Sequence, residues 1–120
     1  MKNLEAIRTR YLQQDSARRL GGLAANLARI ASFADNPNNF KAVETIIEES
    51  KFLIEWMAPD LPSDVQTKLV ELQIQLAIWH LTFSKICQNP ESLKKMITQA
   101  SAWSKELLKL SGLIEKEELQ

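Results

Sequence analysis

The sequence predicts an all-α protein, an antiparallel up-down four-helix bundle with an overlong first helix. Apolar residues recur every three or four positions over long stretches, as they do on one face of an α-helix. Prolines mark the connections between these stretches, at Pro37, Pro59, Pro62 and Pro90. Each connection is short, about five residues, which favours antiparallel packing of consecutive helices.

Length and composition predict a single globular domain over residues 1–120. The formal net charge is zero and 45% of the residues are hydrophobic, which is ordinary for a soluble domain. A chain of this length buries roughly two-thirds of its unfolded surface, so it can hold a core without disulfides or metals. Within the domain we expect residues 1–15 to form a helical extension and residues 115–120 a frayed tail.

The sequence also predicts a soluble, cytoplasmic protein without membrane insertion. The N-terminal residues contain no apolar run of the kind found in a signal peptide, and no uncharged segment is long enough to cross a bilayer. The single cysteine, Cys87, has no partner for an intramolecular disulfide, which suits a reducing compartment.

The first helix is predicted from about Asn3 to Ala34. Its second half carries one apolar stripe, but the apolar residues before Asp15 lie on roughly the opposite side of the helix. Either the helix breaks there, with Asp15 or Ser16 capping a second segment, or it continues and extends beyond the bundle. We expect the long helix, because the intervening residues are good helix formers and include no proline.

Small residues make the second half of this helix thin. Gly21 and Gly22 lie within the helical pattern and are followed by several alanines. The glycines reduce helix propensity, and the alanines offset part of that cost. A thin helix permits a neighbouring helix to approach closely.

Three further helices follow the first. They are predicted at about residues 37–57, 65–87 and 90–110, and Ser63 or Asp64 is the expected cap of the third. The segment 23–41 resembles the segment 76–94 without gaps, since both contain a Leu-Ala start and an Asn-Pro turn. The fold is therefore either two similar helical hairpins or four helices whose turns merely look alike.

The third helix is apolar on two opposite faces. One face continues through the helix as a core stripe, at alternating spacings of four and three residues. It contains Val65, Leu69, Leu72, Leu76, Trp79, Phe83 and Ile86. The other face we call the outer stripe, and it consists of Val70, Ile74, Ile78 and Leu81. A helix of this kind needs neighbours on both sides.

Two arrangements would cover the outer stripe. In a monomer, the long first helix would cross over it through side chains that have no place on the main stripe, namely Leu4, Ile7 and Tyr11. In a homodimer, the outer stripes of two copies would pack against each other about a two-fold axis. We prefer the homodimer, and another protein is a further possible partner.

Positive charge is concentrated near the N-terminus. Four arginines there, Arg8, Arg10, Arg18 and Arg19, form a candidate basic patch for phosphate or an acidic partner. The alternative is that the basic first helix and the acidic second helix lie side by side and complement each other's charge. Neutral overall charge and the lack of a known DNA- or RNA-binding motif argue against nucleic acid.

Residues with catalytic potential are few. His80 is the only histidine, and a small four-helix protein with one helical histidine resembles in outline the histidine phosphotransfer domains. Those domains have a lysine three residues after the histidine, and this chain has Phe83 there, with Lys85 two positions later. We therefore predict a non-enzymatic interaction protein, an adaptor, regulator or assembly subunit, without metal or cofactor. The alternative is a ligand-sensing, phosphate-handling or nucleic-acid-handling protein that uses the N-terminal arginines, and phosphotransfer on His80 is a less favoured form of it.

Overall fold

The structure is a computed structural model, which describes the backbone of residues 3–118 and the side chains of residues 3–113. The described residues contain six α-helices and no β-strand. The helices are α1 (Leu4–Leu12), α2 (Ser16–Phe33), α3 (Phe40–Met57), α4 (Ser63–Leu81), α5 (Phe83–Gln88) and α6 (Pro90–Glu118). Short 3₁₀ turns at Pro37–Asn39 and Ala58–Asp60 lead into α3 and out of it. The all-α prediction is confirmed.

The helices pack around one hydrophobic core. α2 makes its most extensive contact with α6 and also packs on α3, while α3 packs on α4 and α1. α5 packs on α6. The principal extents are 47, 29 and 20 Å, so the molecule is elongated along its helices. The largest side chains that are almost wholly buried include Leu20, Leu27, Ile47, Met57, Leu72 and Leu107.

The prediction of one long first helix is wrong, because the chain breaks between α1 and α2. Asp15 is the N-cap of α2, and its side chain accepts a hydrogen bond from the backbone N–H of Arg18 at 2.8 Å. Apolar residues before and after Asp15 would lie on opposite sides of one continuous helix. Because the chain breaks there, α1 can turn its apolar side toward α3. Tyr11 becomes buried, whereas a straight extension would leave it in water.

The predicted third helix is interrupted near its end. It is divided into α4 and α5 at Thr82, whose hydroxyl donates to the carbonyl oxygen of Ile78 at 2.7 Å. A threonine that bonds back to the preceding turn commonly bends a helix. The core stripe nevertheless continues into α5, because Phe83 and Ile86 are buried.

The last helix is longer than predicted. α6 runs past the expected end at Leu110 and continues through Gly112 to Glu118. No described glycine has a positive φ, so Gly112 does not end the helix with a left-handed residue. Of the tail predicted to fray, residues 115–118 are helical, and residues 119–120 lie outside the described residues.

Small residues bring α2 and α6 close together. Two serines of α6 donate hydrogen bonds to backbone carbonyl oxygens of α2, Ser104 to Ala24 at 2.8 Å and Ser111 to Ala17 at 2.7 Å. A serine is short, so these bonds require the two helix backbones to lie near each other. The thin second half of the predicted first helix therefore does receive a close neighbour, and that neighbour is α6.

The two glycines of α2 are not required by this close approach. A Cβ atom at Gly21 would lie 4.0 Å from Ser111 Oγ, and one at Gly22 would lie 4.0 Å from Tyr11 Cε1. Both distances are ordinary van der Waals contacts. We expect Gly21→Ala and Gly22→Ala each to raise the free energy of unfolding by about 0.5 to 1 kcal/mol, measured by urea denaturation.

The control for this prediction is Ala28→Gly at an exposed position of α2, which should lower the free energy of unfolding by a similar amount. A loss of stability in Gly21→Ala would mean that the added methyl group meets Ser111 at less than 4.0 Å.

Candidate interaction surface

The two apolar faces of α4 have different surroundings. On the core stripe, Leu69, Leu72 and Leu76 have no exposed surface. On the outer stripe, the exposed fractions are 58% at Val70, 57% at Ile74, 50% at Ile78 and 87% at Leu81. Isolated apolar side chains on a surface are common, but a continuous row along one helix is typical of an interaction site.

A groove adjoins the N-terminal half of the outer stripe. It lies between α3 and α4 and has a volume of about 400 Å³. Val70 and Ile74 form one wall, and Ile54 with Ala58 and Pro59 forms the other. The groove extends the exposed apolar surface of α4 onto α3, a feature that helical periodicity within α4 alone does not predict.

One polar atom near the groove lacks a partner. The Gln73 side chain donates from Nε2 to the backbone carbonyl of Lys51 at 3.2 Å. Its Oε1 atom is buried and accepts no hydrogen bond. An unpaired buried acceptor of this kind is uncommon in folded proteins.

The first helix does not cover the outer stripe, whose four side chains are each at least 50% exposed, so this chain does not adopt the monomer alternative. α1 packs on α3, where Tyr11 is buried beside Trp56, with ring centroids 6.2 Å apart. Leu4 and Ile7 are half-buried. α1 meets α3 around Leu53 and Trp56, whereas the groove uses Ile54 and Ala58. The seven residues predicted as one interface therefore lie in two separate places.

Tyr11 anchors α1 through its hydroxyl as well as its ring. The hydroxyl donates a hydrogen bond to the backbone carbonyl of Arg19 at 3.0 Å and lies 3.3 Å from Met57 Sδ. Burial raises the pKa of the Tyr11 hydroxyl well above its ordinary value, and the positive charge of Arg19 opposes part of this rise. The neutral phenol is thus the form that fits the folded protein.

Arg19 holds the break between α1 and α2. Its Nε donates to the carbonyl of Gln14 and one terminal nitrogen donates to the carbonyl of Leu12, both at 2.8 Å. The other terminal nitrogen lies 3.0 Å from Asp60 Oδ2. The Arg19 side chain is only 12% exposed, whereas Asp60 is 61% exposed, so the ion pair itself contributes little. The carbonyl bonds matter more, because they satisfy acceptors at the end of α1.

The predicted basic patch is therefore divided. Arg8, Arg10 and Arg18 are exposed, while Arg19 is turned into the junction of α1, α2 and the turn after α3. Arg10 lines a cleft of about 190 Å³ together with Arg29 and Glu49. The alternative, that the basic and acidic helices complement each other's charge, stays a prediction.

Sequence reasoning missed a buried polar contact between α2 and α3. Asn26 is 2% exposed, and its Nδ2 donates to the Ser50 hydroxyl at 3.2 Å. Ser50 in turn donates to the carbonyl of Ile46 at 2.7 Å, and Arg29 donates to Asn26 Oδ1. The signal was available, because Asn26 occupies a position between Leu23 and Leu27 on the core side of α2.

The reactive side chains are dispersed. His80 is half-exposed and lies beside Lys51 and Leu81 at the C-terminal end of the outer stripe. Burial raises the pKa of the Cys87 thiol, and the nearby negative charge of Glu44 raises it further, so the thiol is protonated at neutral pH. Among residues 3–118 no group of three His, Cys, Asp or Glu side chains is placed to hold a metal ion.

Comparison of the chain with protein-family models, with curated proteins and with solved structures finds no match. No helix in the described part of the chain combines the length and the apolar character needed to cross a membrane.

Tyr11 provides a test of how α1 is anchored. It is the only tyrosine in the chain, so phenolate absorbance reports on this residue alone. Because its pKa in the folded state is raised above the ordinary value of 10.0, its contribution to stability is complete below pH 10 and is lost as the pH rises further. We expect phenolate absorbance to appear only with alkaline unfolding, and Tyr11→Phe to lose this part of the pH dependence. Titration of the folded protein at its ordinary pKa would contradict the burial of Tyr11.

Arg19 provides a second test. Arg19→Met removes the bonds to two carbonyl oxygens, and we expect it to lower the free energy of unfolding by about 2 kcal/mol in urea denaturation. The matched control is Arg18→Met, at an exposed neighbouring position, which should change stability by less than about 0.5 kcal/mol. Equal effects of the two variants would argue against a structural role for Arg19.

Proposed function

We propose that the protein is a non-enzymatic helical interaction protein, an adaptor, regulator or assembly subunit, that self-associates through the outer stripe of α4. The observation that carries this proposal is the continuous row of Val70, Ile74, Ile78 and Leu81, each at least 50% exposed. The fold behind it is proposed as an antiparallel up-down bundle of α2, α3, α4 with α5, and α6. The contacts of α2 with α3 and α6, and of α3 with α4, support that arrangement.

The magnitude of the exposed apolar surface supports a weak dimer. Completing the burial of four aliphatic side chains would contribute roughly 4 to 7 kcal/mol from each copy, taking the fraction of each that is still exposed. Association costs about 4 to 15 kcal/mol in lost freedom of motion. The gain from two copies, roughly 8 to 14 kcal/mol, is of the same order as this cost, so the outer stripe supplies enough apolar surface for a weak dimer.

The alternative function, a phosphate-handling or ligand-sensing protein, has less support. Arg19 is engaged with backbone carbonyls, which leaves three of the four arginines available to an anion. His80 lies beside the outer stripe, where a partner on α4 would partly cover it. The apolar row has no role in either form of the alternative.

Ile78→Asp tests the proposal. A charge on the outer stripe should prevent association but leave the fold intact, because Ile78 is half-exposed in the single chain. We expect light scattering to give a mass near twice 13.7 kDa for the unmodified protein and a mass of one chain for Ile78→Asp at the same concentration. Circular dichroism should show equal helix content in both.

The matched control is Leu76→Asp on the core stripe of the same helix. Leu76 has no exposed surface, so a buried, unpaired carboxylate should unfold the chain. A mass of one chain for the unmodified protein at concentrations up to about 500 µM would refute self-association through this surface.

A further inference from the structure

The outer stripe has a cavity at one end and a projecting side chain at the other. The cavity is the groove between α3 and α4, where Val70 and Ile74 face Ile54, Ala58 and Pro59. The projecting side chain is Leu81, the last residue of α4, which is 87% exposed. Leu81 and Val70 are eleven residues apart, about 16 Å along a helix, so Leu81 cannot enter the groove of its own chain.

The middle of the stripe is suited to close contact between helices. Ile74 and Ile78 lie on either side of its centre, and the exposed Ala77 lies between them. Alanine is small, so a second helix can approach the backbone of α4 at this point. The larger side chains on either side of Ala77 would then pack around the approaching helix.

A pair of opposite charges also suits an antiparallel arrangement. Glu55 lines the groove, and Lys51 lines the cleft beside His80 and Leu81. An antiparallel pairing of two α4 helices brings Leu81 of each copy to the groove of the other, and with it Lys51 toward Glu55 of the other copy.

We infer that the partner on the outer stripe is a second copy of this chain, bound antiparallel about a two-fold axis, with Leu81 of each copy seated in the α3–α4 groove of the other. The inference rests on the proposed self-association and specifies its geometry. A two-fold axis through the centre of the stripe makes the same contact twice, since each copy supplies one leucine and one groove. Parallel packing would place the two Leu81 side chains together and leave both grooves empty.

Disulfide trapping tests this geometry. In a Cys87→Ser background, the double variant Leu81→Cys with Ala58→Cys should form a covalent dimer on mild oxidation, because the antiparallel arrangement brings each leucine position to the partner's groove. Peptide mapping should join the segment around residue 81 to the segment around residue 58. We expect at least a tenfold higher yield of dimer than with either single variant.

The matched control replaces the leucine position by another exposed leucine. Leu108 lies on α6 and is 56% exposed, so Leu108→Cys with Ala58→Cys should give no more dimer than the single variants. In the same way, Ala58→Phe should fill the groove and weaken the dimer tenfold or more in sedimentation equilibrium, with helix content unchanged.

The outcomes separate this inference from the proposed function. Efficient cross-linking of Leu81→Cys to itself, with none to residue 58, would overturn the antiparallel geometry while self-association stands. A mass of one chain at every concentration, with no preferred cross-link, would overturn both. Cross-linking between residues 81 and 58 above the Leu108 control supports both.

Discussion

The structure depends on a constraint in α4. This helix is apolar on two opposite faces, but the other described helices cover only one of them. α3 packs along one side of α4, and the core stripe is buried beneath it with Leu69, Leu72 and Leu76 at zero exposure. The side chains of a helix point in fixed directions, so burying this stripe necessarily turns the outer stripe away from the core. The exposed row is thus a direct consequence of how the interior is filled.

α1 is the segment that the sequence offered as a cover for the outer stripe, but it packs on α3 instead. Asp15 caps α2, Arg19 satisfies the carbonyl oxygens at the end of α1, and Tyr11 is buried against α3. Each of these interactions is local to the junction of α1, α2 and α3. Together they hold α1 on the α3 surface and leave the outer stripe of α4 exposed.

The contact between α2 and α6 is closely packed. The small residues of α2 let α6 approach until the hydroxyls of Ser104 and Ser111 reach the α2 backbone. Each serine hydroxyl donates to an acceptor on the neighbouring helix, so the contact is polar as well as closely packed. This contact contrasts with the groove between α3 and α4, where space remains and Gln73 Oε1 has no partner.

The amino-acid sequence by itself determined that the protein is helical, where its proline-marked turns lie, and that α4 has two apolar faces. These features follow from periodicity, proline and capping chemistry, which act within a few residues along the chain. Only the tertiary structure decided that the first helix breaks at Asp15. It also decided that Arg19 donates to the backbone at the end of α1 instead of joining the basic patch. The groove that Ile54, Ala58 and Pro59 form beside Val70 is likewise a tertiary feature. The physical reason is range: whether Tyr11 is buried or exposed depends on Trp56 and Met57 on another helix, and no local pattern around residue 11 contains that information.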